Sequence, residues 1–213
     1  MRVNKIFGLM SVLTPILLRT GGRRTGRSIY LTFDDGPHPV HTPALLELLE
    51  SHGAKGSFFL TGNLAQQHPD VVRRIMKGGH AIGNHSMHHP RMKTLNPSAQ
   101  WEEIRRADEI LERFDGVRRH AFRPPYGRVT IAMLLAALWR RRPIVLWTID
   151  SLDYKFWVPD IVGRLRELPI SDGDVILFHD DSASAGLVLE QLLPAWSSKG
   201  FSFPRLATAE GRP

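Results

Sequence analysis

Cysteine is absent from the 213 residues, which excludes a disulfide framework, thiolate metal sites and a cysteine nucleophile. Any metal must be held by histidine and carboxylate. Acid is absent from residues 1–27, which carry Arg2, Lys5, Arg19, Arg23, Arg24 and Arg27. The formal charge of +7 therefore sits in this leader, and the remainder, with 22 basic and 21 acidic residues, is nearly neutral. That distribution argues against a nucleic-acid surface on the body of the protein. The leader's apolar run, Ile6 to Leu18, is 13 residues broken by Ser11, Thr14 and Pro15, short of the roughly 20 a spanning helix needs. No A-x-A-like cleavage site follows it, and arginines crowd the position where one belongs. We read residues 1–27 as a basic apolar leader that touches an anionic leaflet peripherally, placing the chain in the cytoplasm at the inner membrane face. Export to the cell envelope and a disordered terminus are the alternatives.

Repeats and low-complexity tracts are also missing after residue 28, and 42% hydrophobic residues suffice for one core, so residues 28–213 read as a single domain. Short β-type runs alternate with helical patterns there, which predicts an α/β fold with parallel strands. The predicted strands are Ser28–Phe33, Ser57–Leu60, His80–Asn84, Ala121–Arg123, Pro143–Ile149 and Asp174–Phe178, with an extended close at Phe201–Pro204. The predicted helices are Pro43–His52 capped by Thr42, Pro69–Lys77, one opened by Asn96 and Pro97, Thr130–Trp139, Pro159–Leu168, and Leu187–Ser197 interrupted at Pro194. About seven strand and helix pairs result.

Polar residues follow the strands: Asp34 and Asp35, His85, Arg123, Asp150 and Asp153, and His179. In parallel α/β folds that C-terminal rim is where catalytic groups converge. An Asp-Asp-Gly-Pro tetrapeptide alone is an ordinary turn, but here one carboxylate can bind metal while its neighbour takes a proton. His85 and His89 stand at i and i+4, which over one helical turn share a face and can close on one metal. With Asp35 they make the three-ligand set of a catalytic metal with open positions. Arg123-Pro124-Pro125-Tyr126-Gly127 joins a guanidinium that can orient a carboxylate to a rigid turn that presents a backbone N–H. His179 ends a buried strand, as a core histidine or a general acid.

Taken together, these segments resemble the polysaccharide deacetylase family, the NodB-homology group of carbohydrate esterases. Thr32–Pro37, His85–His89, Arg123–Gly127, Asp153-Tyr154 and Leu177–His179 look like its five motifs, in order. The resemblance implies a distorted (β/α)7-type barrel and a divalent cation, zinc or in some members cobalt, on Asp35, His85 and His89. It implies that Asp34 is the base, oriented by Arg123, and that the Tyr126 N–H stabilises the oxyanion. His179 would be the acid, its pKa raised by Asp153, and Leu177 would wall the acyl pocket. Tyr154 departs from the family's usual Trp, which puts the packing around His179 in question. The implied activity is hydrolysis of an N-acyl group, N-acetyl above all, from an amino sugar, by a monomer with no nucleic-acid partner. A lipid-linked or formamido sugar is the second reading, and an inactive carbohydrate-binding protein on the same fold the third.

Overall fold

The computed structural model describes residues 18, 19, 21–24 and 26–207. Its strands are β1 (Leu18–Arg19), β2 (Tyr30–Asp34), β3 (Gly56–Leu60), β4 (Ala81–Asn84), β5 (Ile144–Val145), β6 (Ile149–Asp150) and β7 (Val175–His179). The helices are α1 (His41–Ser51), α2 (Gly62–Gln67), α3 (Pro69–Lys77), α4 (Pro97–Asp115), α5 (Ile131–Arg140), α6 (Val158–Glu167) and α7 (Ser184–Ser198). Five parallel strands form one ladder in the order β4-β3-β2-β7-β6. Every residue of β2 and β3 is buried, as in a parallel sheet covered on both faces.

Register is held by aromatic packing at the centre. Phe33 pairs with Phe58 on one side and Phe178 on the other, and their rings stack at 4.8 and 6.0 Å between centroids. A slip of one residue would turn these rings out of the core. The next residues along, Asp34 and His179, are therefore side by side at the strand ends. Leu45, Leu46 and Leu49 of α1 and Leu189, Leu192, Leu193 and Trp196 of α7 close the core over this sheet.

The far side of the fold is looser. Phe122 bridges Asn84 to Ile144, and the segment that carries Ile144 continues into β6, whose Ile149 pairs with Ile176 of β7. The pairing thus runs around a distorted parallel barrel in which single bridges at Phe122 replace a continuous ladder on one side. The expected strand Pro143–Ile149 is accordingly two pieces, because its first part pairs toward Phe122 and β1 and its last part toward β7. Ala121–Arg123 likewise contributes bridges and not a strand.

Other sequence expectations need correction. Thr42 does not cap α1, which starts at His41 after Val40; its hydroxyl instead bonds the buried Asp180 carboxylate and accepts from the His38 N–H. Pro194 does not interrupt α7, which runs unbroken from Ser184 to Ser198. Burial of Leu192, Leu193 and Trp196 around it outweighs the one lost backbone bond. Helix α2 was not anticipated. Asn96 opens α4 as its N-cap, accepting from the Ala99 N–H at 2.9 Å, and Thr130, expected as the first residue of its helix, instead caps α5, accepting from the Met133 N–H at 3.2 Å.

The basic leader divides. Its apolar run lies almost wholly in residues 1–17, outside the described residues. Leu18–Arg19 pairs with Ile144–Val145, the Gly22 N–H donates to Gly173 O at 2.7 Å, and the Tyr30 hydroxyl donates to Arg23 O at 2.8 Å. Among the described residues no helix is long and apolar enough to cross a membrane.

Candidate active site

The loops that leave β2, β4, Phe122, β6 and β7 meet at one cleft of about 380 Å³, lined among others by Asp34, Asp35, His85, His89, Tyr126, Tyr154, Leu177 and His179. Asp34 and Asp35 point to different partners because Asp35 takes a left-handed backbone, φ 73°, which aspartate tolerates better than most residues. Gly36 follows because its Cα abuts the Asp180 carboxylate: a Cβ there would lie 2.2 Å from an Asp180 oxygen.

Asp35, His85 and His89 each offer a ligand atom within 4.8 Å of the others'. Asp35 Oδ1 lies 3.3 Å from His85 Nε2 and 3.1 Å from His89 Nε2, and it is buried without a hydrogen-bond partner. The two histidines do not share a helical turn, contrary to the spacing argument. Residues 85–89 form an irregular loop in which Ser86 and His89 have φ of 70° and 55°, held by Ser86 N–H to Asn84 Oδ1 at 2.8 Å and His89 N–H to Ser86 Oγ at 3.0 Å. His85 Nδ1 is 2.7 Å from Arg123 O, and since a carbonyl only accepts, Nδ1 carries the proton and Nε2 presents its lone pair to Asp35 and His89. Burial and the neighbouring His85 lower the His89 pKa, favouring a neutral ring. At Asp35 burial acts upward, and only where the facing His85 and His89 carry positive charge do they outweigh it and bring the carboxyl down to about 2. One oxygen and two imidazole nitrogens, with an orphaned carboxylate oxygen between them, fit zinc or a similar divalent cation.

Arg123 is wholly buried. Its Nη1 donates to Asp34 Oδ1 at 2.7 Å and to Thr32 Oγ1 at 2.9 Å, while Nε and Nη2 donate to Val145 O and Leu146 O. The guanidinium also lies 4.0 Å over the Phe59 ring. Asp34 is thereby fixed with Oδ2 3.8 Å from His85 Nε2.

On the neighbouring strand, His179 Nδ1 donates to Asp153 Oδ1 at 2.7 Å, and the His179 N–H donates to Asp153 Oδ2 at 2.8 Å. Burial lowers the pKa of this imidazole, but the Asp153 carboxylate outweighs it and, with Asp34 and Asp35, raises it from 6.5 to about 9. Tyr154 meets His179 edge-on at 5.1 Å and donates to Asp150 Oδ2 at 3.3 Å, so tyrosine keeps an aromatic wall against the histidine. Tyr126, φ 58°, packs its ring 4.7 Å from that of His89. Of the six described non-glycine residues with left-handed φ, five, Asp35, Ser86, His89, Tyr126 and Leu152, lie in these loops, the concentration of backbone strain that active sites show.

Several residues were not legible beforehand. Trp147 and Asp181 line the cleft, yet nothing in the sequence around them signals it. Behind the histidine loop, Asn84 Nδ2 donates to Ile104 O and Asp108 Oδ1, both at 2.8 Å, and Asp108 is paired with the buried Arg142. Asp180 directly follows His179, and nothing in the sequence marks it for burial beside the site. Burial raises its pKa to about 7.

The family model for polysaccharide deacetylase matches residues 21–138. A peptidoglycan-N-acetylglucosamine deacetylase of Bacillus cereus is 35% identical over 182 residues, which cover 84% of this chain and 66% of that protein. A chitooligosaccharide deacetylase of Azorhizobium caulinodans is 34% identical, over 84% of this chain and 92% of the relative. Among solved structures, a peptidoglycan N-acetylglucosamine deacetylase in complex with an N-oxidanyl-benzamide superimposes with a TM-score of 0.86 at 31% identity, covering 95% of this chain and 99% of that one.

Proposed function

The chain belongs to the polysaccharide deacetylase family, and from that premise we propose that it hydrolyses the N-acetyl group of an amino sugar in an oligosaccharide or polysaccharide. The observation that carries this reading is the pairing across β2 and β7 of a carboxylate oriented by Arg123 with an imidazole kept protonated by Asp153, beside one three-ligand cluster. Base and acid are what amide hydrolysis needs. A divalent cation on Asp35, His85 and His89 supplies Lewis-acid polarisation of the acyl carbonyl and eases ionisation of water at neutral pH.

Asp34 takes a proton from the attacking water, and Arg123 keeps that carboxylate aimed. The peptide N–H of Tyr126 supplies a hydrogen bond to the charge that develops on the carbonyl oxygen. His179 Nε2–H then protonates the sugar nitrogen as the C–N bond breaks, leaving a free amine and a carboxylate. Leu177, buried beside His179, walls the space for the acyl methyl.

A lipid-carried or formylated amino sugar is the second reading, favoured by the basic apolar leader. A passive carbohydrate-binding role has no use for a wholly buried Arg123 spent on orienting Asp34. Compartment follows substrate: a peptidoglycan-type glycan places the domain on the envelope side, a lipid-linked precursor at a membrane face.

The test is release of acetate or formate from N-acetylated chitooligosaccharides, peptidoglycan fragments and acylated glycolipids, before and after chelation. Acetate release lost on chelation and restored by zinc or cobalt is the expected outcome. Release that survives exhaustive chelation would remove the metal, and no release from any of these sugars would remove the deacylase.

A further inference from the structure

Helix α5 is apolar on both sides. Met133 and Ala137 pack inward against Phe122, Ile144 and Leu146, and a helix between core and water normally carries charge on its outer side. The adjacent α4 does so, with Arg105 paired to Glu102 and Glu109. On α5 the outer side is Ile131, Leu135, Leu138 and Trp139, exposed by 77, 63, 58 and 90%. Their spacing puts them on one stripe about 100° wide. An exposed apolar stripe of this kind marks an interaction surface.

What lies around the stripe identifies the partner. No acidic residue occurs from Arg128 to Pro143. Arg128 precedes the helix, and Arg140 and Arg141 end it, all exposed. Arg128 also joins Arg91 and Lys93 around a hollow of about 430 Å³ that shares Tyr126 with the catalytic cleft. A self-association face would set these arginines against one another with no acid to pair them, and four side chains fall well short of the roughly 20 residues a side of a stable dimer. The leader adds an independent pointer. It joins the fold at β1, on the strand β5 that α5 feeds, and the sequence before β1 is the apolar run with Arg2 and Lys5.

We propose that the outer face of α5 is a lipid-contact surface that seats in the interface of an anionic bilayer. Ile131, Leu135 and Leu138 enter the acyl boundary, Trp139 sits at headgroup level where indole is favoured, and Arg128 and Arg141 meet lipid phosphates, while Arg140 lies over the Trp101 ring of α4 at 3.8 Å. Tyr126, five residues before Ile131, puts the mouth of the cleft beside that surface.

The test uses the full-length chain with vesicles of phosphatidylcholine mixed with phosphatidylglycerol, and of phosphatidylcholine alone. Leu135→Gln, Leu138→Gln and Trp139→Gln combined should weaken partitioning onto the anionic vesicles at least tenfold, about what loss of three apolar anchors implies. Arg128→Gln with Arg141→Gln should cost about fivefold per charge, on anionic vesicles only. Unchanged melting temperature and unchanged hydrolysis of a soluble chitooligosaccharide would show that the variants are folded; partitioning is read without substrate, so it stands or falls apart from the proposed reaction. Partitioning of the triple variant equal to wild type would overturn the proposal. So would a wild-type dimer that the triple variant dissociates while neither binds vesicles, or a triple variant whose only change is faster trypsin cleavage in residues 1–19, which would make the stripe the seat of the leader.

Discussion

Two adjacent aspartates meet different partners because one backbone dihedral separates them. Asp34, extended at the end of β2, meets Arg123, while Asp35, at φ 73°, turns its carboxylate to the two histidines. Asp34→Asn should therefore retain bound metal and lose about 10²- to 10⁴-fold in turnover, the usual worth of a general base, whereas His85→Ala should lose both. Metal content of the purified variants beside their turnover checks this, and equal metal loss would move Asp34 into the coordination shell. The second residue-scale prediction concerns Asp153. On the proposed reading His179, raised from 6.5 to about 9, donates a proton below that pH and loses the role above it, so kcat/KM should fall on an alkaline limb governed by this group. Asp153→Asn removes the main cause of the rise and should move that limb down by at least one pH unit, visible in a pH–rate profile. The sign for stability is the same. A group whose folded pKa is raised contributes fully below its unfolded value of about 6.5, and that contribution fades as pH climbs toward 9.

At the scale of elements, the loop that carries His85 and His89 is irregular and is held by what lies behind it. Asn84 ends β4, accepts from Ser86 N–H and donates to Ile104 O and Asp108 on α4, so one buried amide joins strand, loop and helix. Partners that orient ligands from behind are typically worth 10- to 100-fold in metal affinity. Asn84→Ala should weaken zinc binding by about that factor in a competition titration, with the circular dichroism of the fold retained. Unaltered affinity would mean that the strained backbone at Ser86 and His89 holds the loop unaided.

For the whole molecule, the leader is two pieces with different physics. Residues 18–27 contribute β1, the Gly22 N–H bond to Gly173 O, and the Arg23 carbonyl that receives the Tyr30 hydroxyl. Residues 1–17 hold nearly all of the apolar run together with Arg2 and Lys5. Deleting 1–17 should leave the melting temperature and soluble-substrate turnover nearly unchanged while weakening partitioning onto anionic vesicles, an effect that added salt reduces. Deleting 1–27 should in addition lower the melting temperature by about 5 °C or more, since a loss of 1 kcal/mol costs 2 to 4 °C at this size. Scanning calorimetry of the two truncations separates the effects, and equal melting temperatures would deny β1 any part in stability.

The sequence by itself determined the alternation of strands and helices, the apolar core and which residues gather at one rim, because parallel strands deliver the residues that follow them there whatever their exact boundaries. Asp34, Asp35, His85, His89, Arg123, Asp153 and His179 were legible as neighbours for that reason, as was the helix start at Asn96, which depends on local chemistry alone. Only the tertiary structure decided how those residues are held. The histidines converge through left-handed backbone at Ser86 and His89 and not through a helical turn, and the run from Pro143 to Ile149 breaks where its neighbours change from Phe122 to β7. Thr42 abandons capping for a buried carboxylate contributed by the far end of the chain. Each of these outcomes is set by a partner many residues away, and local spacing carries no record of such a partner. The exposed stripe on α5 belongs with them: its apolar residues are plain in the sequence, but which of them face outward follows only from where the helix packs.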